Sequence, residues 1–551
     1  MKRVLAPLVV LGFVVGGSAM LGSGSASGDP DATCPNAAPG MAPCNPFLAP
    51  TAQSATHGNN YRQSTYLGPT SATGALEAEH LNLDGAVTIW ADPSPPYPDG
   101  SQVLWLNMAP TDQVVKVDAD DLQVLATTAP GTPQAGIGVA YYELNAHNQL
   151  VRLNGSVLEA FGDADPDDPG SDIVRVAAFP VPPTNLCQDE DLVGLAHTYD
   201  GHLVIGTSLG NLIVMPADPD AWGDGPVATA SVNGERCAQE GDESLEQMSN
   251  NLTVDETGGV YVVSDAALYR FDWDGAELER AWRAPYRSES AGALSGGSGS
   301  TPTLMGDPSQ DDRFVVITDA SRFMRVNLYW RDDVPDGWTP PVGDDPRLAC
   351  SVPVDFGEPD RPGTKSDQSV VVDGYASYVV DNTVRGVSGL EKIDPRSRVV
   401  FTELAGSQAA HAPRGAARVD WDAAAQGCRT VWSNPTVSFP TGIPMMARST
   451  HQLINNSLGR VAGRSVFGIR ALDADTGRSA WFVPGVEQDC GDRLDPLLAM
   501  LGVNAPDSPI EPDLSNVCEN ANFAGVTMDD QGRIYHGTTY GLSRFVAETN
   551  P

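Results

Sequence analysis

The sequence predicts an all-β protein, folded as a single β-propeller of about eight four-stranded blades, with seven blades as the alternative count. Three observations predict this fold. Short β-rich runs recur between turn signals, glycine and proline occur throughout the chain, and long helical periodicity is scarce. One such unit cannot bury both of its faces, so the units must stack and close into a ring. An array of β-sandwiches is the main rival, and it fits the turn-rich four-strand order less well.

The repeating unit is clearest in residues 249–282. Asn251–Val254 predicts a first strand, and a turn rich in glycine and acidic residues leads to a second strand, Val260–Val263. A third strand is predicted at Leu268–Phe271, and a weaker fourth follows it. Comparable units are predicted at 87–125, 137–176, 194–217, 303–354, 369–432, 442–484 and 525–545.

The last predicted unit lacks a clear fourth strand. It ends with Leu542–Phe545, close to the end of the chain. We expect the N-terminal segment to supply the missing strand, because closure of the ring removes free sheet edges. The predicted organisation is a signal peptide (1–27), an N-terminal extension and ring-closing segment (28–85), and the propeller (86–549).

The N-terminus has the layout of a secretory signal. Met1-Lys-Arg3 precedes an apolar run from Val4 to Val15, and small residues continue to Ser27. An uncleaved membrane anchor is the alternative, although the run is short and interrupted by proline and glycine. No later segment is apolar enough to span a bilayer. We therefore expect a secreted or periplasmic protein that is monomeric and has no membrane span after cleavage.

Eight cysteines are present, and an even number in an exported chain favours disulfides. No two are adjacent and none forms a CxxC motif, which argues against zinc ribbons, thioredoxin-like chemistry and covalent haem. Pairing in chain order would give Cys34–Cys44, Cys187–Cys237, Cys350–Cys428 and Cys490–Cys518, and other pairings stay open.

The net charge of −38 repels nucleic acid and anionic lipid, so neither is expected as a partner. This negative charge has two interpretations: it keeps the protein soluble, or it attracts cations. An acidic loop at 163–172 begins with the spacing of a calcium loop but departs from it at Asp168 and Val174, and an exposed loop is the simpler interpretation.

The stretch Ala471-Leu-Asp-Ala-Asp-Thr-Gly-Arg-Ser-Ala-Trp481 predicts strand, tight turn and strand. Asp473 and Thr476 can bond to their own backbone, Gly477 supplies a positive φ, and Trp481 can pack against a neighbouring sheet. This spacing resembles the tryptophan-docking motif of quinoprotein-like (PQQ-like) β-propellers.

Further stretches carry the same resemblance, namely 249–263, 299–306, and Ala417–Asp420 with Gly427–Trp432. Together with the docking motif they resemble a family of secreted PQQ-like propeller proteins over most of residues 80–549. The resemblance implies the fold and export, and it implies no secure activity. PQQ itself is not expected as a cofactor, since quinone dehydrogenases of this type often carry a disulfide between adjacent cysteines, which is lacking here.

Polar residues stand just before the predicted first strands. In a propeller these strands line the central channel, so the residues before them would meet in a funnel and form a small-molecule site. The candidate ligand-binding residues are Glu190, Asp191, Asn250, Thr301, Asp367, Gln368 and Asn520. The alternative is that loops before strands are polar in any protein.

Two kinds of chemistry are candidates in this funnel. Glu190, Asp367 and Asn250 offer the oxygen ligands that Ca²⁺ prefers, by analogy with gluconolactonase-like and quinoprotein-like propellers, and no ligand motif matches residue by residue. His197 falls in a predicted channel-lining strand and is a candidate general base, with a structural histidine as the alternative. His57–Arg62, in the N-terminal segment, is a candidate plug over one face.

These features lead to three hypotheses. The first is an exported propeller that binds a small molecule in its funnel, with calcium as a candidate cofactor. The second is an extracellular enzyme, either a metal-assisted lactone or ester hydrolase or a PQQ-type oxidoreductase. The third is a protein-interaction scaffold. The chain has no GxSxG, HExxH, P-loop or dinucleotide motif, and the sequence does not decide whether the protein is catalytic.

Overall fold

A computed structural model describes residues 37–83, 85–109, 111–131, 141–182, 186–187, 190–234, 245–289, 296–387, 395–488, 516–521 and 523–548. Over these ranges the chain forms eight antiparallel sheets in sequence order, which are the blades of one propeller. The predicted fold class is confirmed with a count of eight blades, and the sandwich array is wrong. The predicted signal peptide lies outside the described residues.

Two strands precede the first blade, β1 (Thr65–Tyr66) and β2 (Leu76–Asn82). Blade 1 contains β3 (Ala86–Pro93), β4 (Val103–Ala109), β5 (Val114–Asp118) and β6 (Val124–Thr127), and blade 2 contains β7 (Tyr142–Leu144), β8 (Leu150–Asn154), β9 (Val157–Asp163) and β10 (Ile173–Pro180). Blade 3 contains β11 (Leu192–His197), β12 (His202–Thr207), β13 (Asn211–Pro216) and β14 (Ala228–Ser231), and blade 4 contains β15 (Thr253–Val254), β16 (Gly259–Val263), β17 (Ala267–Trp273) and β18 (Leu278–Pro285).

Blade 5 contains β19 (Thr303–Met305), β20 (Phe314–Thr318), β21 (Arg325–Trp330) and β22 (Leu348–Pro353), and blade 6 contains β23 (Val371–Asp373), β24 (Ala376–Val380), β25 (Ala416–Asp422) and β26 (Gly427–Asn434). Blade 7 contains β27 (Met445–Ala447), β28 (Gln452–Val461), β29 (Arg464–Asp473) and β30 (Ser479–Pro484), and blade 8 contains β31 (Val526–Met528), β32 (Ile534–Thr538) and β33 (Gly541–Ala547). A helix, α1 (Pro395–Gly406), lies between β24 and β25, and a short 3-10 helix spans Pro219–Asp224.

The turn after an inner strand explains part of the sequence repeat. In blade 4, Asp255 Oδ1 accepts the backbone N–H groups of Thr257 and Gly259 at 2.9 and 2.8 Å, and Oδ2 accepts the Tyr261 hydroxyl at 2.6 Å. In blade 8, Asp529 uses its oxygens in the same way on Arg533 and on the hydroxyl of Tyr535. The repeated Asp…Gly…Tyr pattern is therefore a turn that directs the second strand.

Strand β2 closes the ring. It pairs antiparallel with β33 from Leu76 opposite Ala547 to Asn82 opposite Gly541, and it is the outermost strand of blade 8. The expectation that the N-terminal segment completes the last blade is confirmed. Closure gives blade 8 four strands, as in blade 1.

Trp481 on β30 docks between blades 7 and 8, as predicted. It is buried, its indole N–H donates to Gln452 Oε1 at 3.1 Å, and its neighbours include Tyr66, Ile534 and Phe545. The turn before it has the predicted form, since Asp473 Oδ1 accepts the Thr476 N–H at 2.8 Å.

The same turn also receives a tryptophan from blade 6. The Trp432 indole N–H donates to the carbonyl of Ala474 at 2.8 Å, and a Cβ at Gly477 would lie 2.4 Å from the Trp432 ring. Gly477 has a φ of +67°, so both its conformation and the approach of the indole require glycine. Blades 6, 7 and 8 are thus joined by successive tryptophans.

A disulfide joins the outermost strands of blades 5 and 6. Cys350 and Cys428 are bonded with a Cα–Cα distance of 5.8 Å, which confirms this predicted pair. Cys44, Cys187 and Cys518 are also disulfide-bonded. Their predicted partners, Cys34, Cys237 and Cys490, lie outside the described residues, so those three pairings stay predictions.

Residues 37–66, here called the plug, lie inside the ring against the inner strands. The carbonyl oxygens of Tyr61, Gln63 and Ser64 accept backbone N–H groups of blades 5, 6 and 7 at 2.9, 3.0 and 2.8 Å. Strand β1 pairs in parallel with β27, and Ala49 donates to the last residue of β7. The segment expected to cover one face therefore fills the channel instead.

Candidate functional site

Five polar residues that precede inner strands form a continuous belt around the funnel end of the axis. The belt consists of Asn250, Thr301, Gln368, Thr441 and Asn520. Gln368 Nε2 donates to the Thr441 carbonyl at 2.8 Å, and Thr441 Oγ1 donates to Asn520 Oδ1 at 2.9 Å. These hydrogen bonds join blade 6 to blade 7, and blade 7 to the segment that leads into blade 8.

The belt continues across blades 4 to 6. The Thr301 N–H donates to Ser369 Oγ at 3.0 Å, and Asn250 Nδ2 donates to the Ser298 carbonyl at 2.8 Å. Thr301, like Gln368 and Asn520, is buried, whereas Asn250 is half-buried. Four predicted ligand-binding residues are thus brought together, and each already serves to join blades.

The predicted acidic residues Glu190 and Asp191 lie outside the belt. Glu190 is buried within blade 3, where its carboxylate accepts the Cys187 N–H at 2.6 Å, the Asn211 amide at 2.8 Å and the Thr207 hydroxyl. Asp191 has an exposed side chain. The structure therefore places Glu190 in a loop-stabilising role outside the belt.

Asp367 is buried next to Gln368, and its N–H donates to Asn382 Oδ1 at 2.9 Å. In the described part of the chain, no group of three or more His, Cys, Asp and Glu side chains is arranged to hold a metal ion. The predicted calcium ligands Glu190, Asp367 and Asn250 come from three different blades, and calcium stays a prediction.

An apolar layer lies below the belt. Trp90 of β3, Ile443 and the half-buried Tyr141 pack together, and we call this layer the floor. Tyr141 precedes blade 2, yet its phenol interacts with the Thr301 side chain and the Asn251 backbone, and burial raises its pKa. The sequence analysis missed the floor, although an aromatic residue at the start of an inner strand was a signal that could have indicated it.

Glycine is required beside the floor. A Cβ at Gly525, just before β31, would lie 2.3 Å from the Trp90 indole nitrogen. On its other side Trp90 meets the plug, because the His57 ring lies edge-on to the indole with centroids 4.7 Å apart. The floor therefore separates the plug from the belt.

Two acids lie beside Asn520, namely Glu403 of α1 and the preceding residue Glu519. Asn520 Nδ2 donates to the Glu403 carbonyl at 3.3 Å and to Ser407 Oγ at 3.1 Å. Burial raises the pKa of Glu403 and of Glu519 to about 7. Near neutral pH each carboxyl group is poised between its acid and base forms, which is the condition for proton transfer.

The predicted base His197 lies on an inner strand, as expected, but on the plug side. Its Nδ1 is 2.7 Å from Glu143 Oε2, its backbone N–H donates to the same oxygen at 3.0 Å, and its Nε2 has no hydrogen-bond partner among the described residues. His197 is fully buried. It is therefore held against Glu143 and does not face the funnel.

Arg62 of the plug neutralises Glu143. Its Nη1 donates to Glu143 Oε1 at 2.6 Å, and its other nitrogens donate to the carbonyls of Leu195 and Leu252 at 3.0 Å each. Burial opposes the ionised form of Glu143, yet Arg62 and His197 hold its pKa below the usual range. One guanidinium thus ties blades 2, 3 and 4 to the plug.

No helix in the described ranges combines the length and the apolar character needed to cross a bilayer.

No protein-family model matches the chain. Two solved structures align with it at low similarity: BamB from Moraxella catarrhalis at 9% identity over 72% of this chain and 93% of its own (TM-score 0.36), and a streptogramin B lyase at 8% over 87% and 99% (TM-score 0.35).

A sequence relative is much nearer. An uncharacterised protein from Archaeoglobus fulgidus is 32% identical over 519 residues, which cover 93% of this chain and 90% of the archaeal protein. The similarity thus extends over most of the chain rather than over an isolated repeat. The chain belongs to the same protein family as this uncharacterised archaeal protein.

Proposed function

We propose that the protein binds a small polyhydroxylated or carbonyl-bearing molecule at the funnel end of its axis, above the floor, without converting it. The observation that carries this proposal is the position of Tyr141. Its half-buried phenol interacts with Thr301 of blade 5 and with Asn251 of blade 4, although it belongs to blade 2. An aromatic side chain at the meeting point of three blades is a natural platform for a ligand.

The chemistry of the surroundings selects the ligand class. The partly exposed Tyr141 ring of the floor can stack on the C–H face of a sugar-like molecule. The belt contributes amide and hydroxyl groups, which donate and accept hydrogen bonds, and no lysine or arginine belongs to it. This composition favours a neutral polar ligand over an anion. Calcium is an additional candidate, since Asn250 and Asp367 carry amide and carboxylate oxygens, the ligand types that Ca²⁺ prefers.

The experiment is a thermal-shift screen of sugars, polyols and hydroxy acids, followed by calorimetry on any hit. Tyr141→Ala should abolish the ligand-induced rise in Tm, whereas Tyr375→Ala should retain it. Tyr375 is a matched control, because it is a partly buried tyrosine whose hydroxyl donates to the Asp312 carbonyl, away from the belt. Equal binding by wild type and Tyr141→Ala would refute the site. Repeating the titration with a chelator tests calcium.

An enzymatic role is the second candidate, and the raised pKa of Glu403 and Glu519 favours it. A carboxyl group with a pKa of about 7 can donate or accept a proton in lactone or ester hydrolysis. Glu403→Gln should then abolish turnover of such substrates while leaving binding above the floor intact. Binding without turnover in the wild type would leave the first proposal standing alone.

We further propose that the protein is exported and is a PQQ-like propeller. The leader composition of residues 1–27 and the Cys350–Cys428 bond both suit an oxidising compartment. The docking of Trp432 over Gly477 supports the PQQ-like assignment. N-terminal sequencing of the mature protein, after cell fractionation, tests export directly.

A further inference from the structure

Asp92 of β3 is an unusual buried acid. It is 1% exposed, and neither of its carboxylate oxygens has a hydrogen-bond partner of ordinary geometry among the described residues. It lies where the inner strand of blade 1 meets the plug. A buried carboxylate without partners is costly by several kcal/mol if it is ionised.

The hydrogen-bond donors around Asp92 are already bonded to other acceptors. The Tyr66 hydroxyl donates to Gln53 Oε1, the Tyr142 hydroxyl donates to the carbonyl of Trp90, and Gln53 Nε2 donates to the carbonyl of Ala55 at 2.8 Å. Among the described residues, only the second amide hydrogen of Gln53 remains to favour an ionised Asp92. One neutral donor does not offset the loss of hydration.

The charges in this part of the channel also fail to balance if Asp92 is ionised. Glu143 on β7 repels a charge on Asp92, and Arg62, the cation of the plug, is already paired with Glu143 at 2.6 Å. Burial is the larger effect, and together they raise the pKa of Asp92 well above its usual range. The other titratable groups here, His57 and Tyr66 on the plug and Tyr142 on β7, are buried as well.

We propose that Asp92 is a proton-dependent latch for the plug: residues 37–66 stay seated in the channel while Asp92 is a neutral carboxylic acid, and ionisation of Asp92 releases them. Since the acid holds its proton more tightly in the seated state than in the open state, seating is favoured at low pH. It is weakened as the pH rises above about 4, the ordinary value for a hydrated Asp.

Hydrogen exchange of residues 53–66 in the intact protein, corrected for the intrinsic pH dependence of exchange, tests the latch. In a His57→Asn background, which removes the opposing titration of the plug's own histidine, the opening constant should rise by about tenfold per pH unit between pH 5 and pH 7. Adding Asp92→Asn to this background should remove the slope, because the amide is neutral at every pH. Adding Asp274→Asn instead, in an exposed turn of blade 4, should keep the slope.

A flat profile of the His57→Asn variant would overturn the proposal. So would one equivalent of a metal cation, found by mass spectrometry in wild type and lost from Asp92→Asn, since a cation would then replace the proton. Should Asp92→Asn not fold, Asp92→Leu serves as a second neutral variant: loss of the slope supports the latch, and an unchanged slope contradicts it.

Discussion

The plug and the belt are both buried polar layers on one axis, yet they are built in opposite ways. The plug is one continuous segment, and its Arg62 alone contacts residues of blades 2, 3 and 4. The belt takes its residues from several blades. Neighbouring members are joined by single hydrogen bonds, such as the one from Gln368 to the Thr441 carbonyl. A contiguous segment concentrates the stabilisation of the ring, whereas the belt spreads it out, so single changes should cost far more in the plug.

The largest effect is expected from truncation. Removal of residues 28–85 deletes both the plug and β2, exposes the edge of β33 and leaves Glu143 without Arg62, so we expect an aggregated or partly unfolded product. Removal of residues 28–70 keeps β2 and should preserve a closed but less stable ring. Size-exclusion chromatography and thermal melting compare the two. A monomer with the wild-type Tm after the longer deletion would show that the plug and closing strand stabilise nothing.

Sequence reasoning succeeded where the interactions are local or follow chain order. The Asp255 turn and the Gly477 turn recur because their hydrogen bonds lie within a few residues, and Cys350–Cys428 follows from the succession of blades. The closing strand could be predicted from the missing fourth strand of the last unit. These features need only the order of the blades and the rules of turns.

The functional layers were harder to predict. Arg62 finds Glu143 and two carbonyls of other blades, and no local pattern encodes that set of partners. Tyr141 and Thr301 are 160 positions apart by their residue numbers and meet only because the ring closes. Glu190, chosen for its place before a strand, turns back into its own blade. Position before a strand thus predicts which end of the axis a residue occupies, and not where its side chain points.

The next largest effect is expected at Arg62. Arg62→Met would leave Glu143 buried without its guanidinium partner, and breaking a buried ion pair in this way costs about 3–5 kcal/mol of unfolding free energy. The double variant Arg62→Met/Glu143→Gln should recover much of that loss, because neither position then carries a charge. Chemical denaturation measures both. If the double variant were as unstable as the single one, the hydrogen bonds to the blade carbonyls, rather than the charge, would dominate.

His57 of the plug and Glu403, the α1 residue that contacts Asn520 of the belt, should make contributions of opposite sign to the pH dependence of stability. Burial, with a contribution from Arg62, lowers the pKa of His57 to about 3, so the unfolded chain binds the extra proton and stability falls as the pH drops below about 6.5. Burial raises the pKa of Glu403 to about 7, so the folded state binds the extra proton and stability falls as the pH rises from about 4.5 to 7.

Variants separate these two contributions. Between pH 7 and pH 5, His57→Asn should remove a loss of about 2 kcal/mol, and Glu403→Gln should remove a gain of similar size. Asparagine suits position 57 because the backbone φ there is +61°. Denaturation at pH 5 and pH 7 measures both differences against wild type, in which the two effects partly cancel. Changes of the same sign in both variants would contradict the assignment.

The smallest effect is expected in the belt. Gln368→Ala removes the bond to the Thr441 carbonyl and leaves that acceptor buried, which costs about 1–3 kcal/mol. Because Thr441 keeps its own bond to Asn520 at 2.9 Å, the neighbouring links should survive, and the loss should lie at the low end of this range. Gln368→Glu gives a sharper comparison, since a carboxylate cannot donate to the carbonyl and would repel it. Denaturation should rank the alanine variant above the glutamate variant in stability. A loss as large as that of Arg62→Met would mean that the belt is as concentrated as the plug, and the contrast between the two layers would fail.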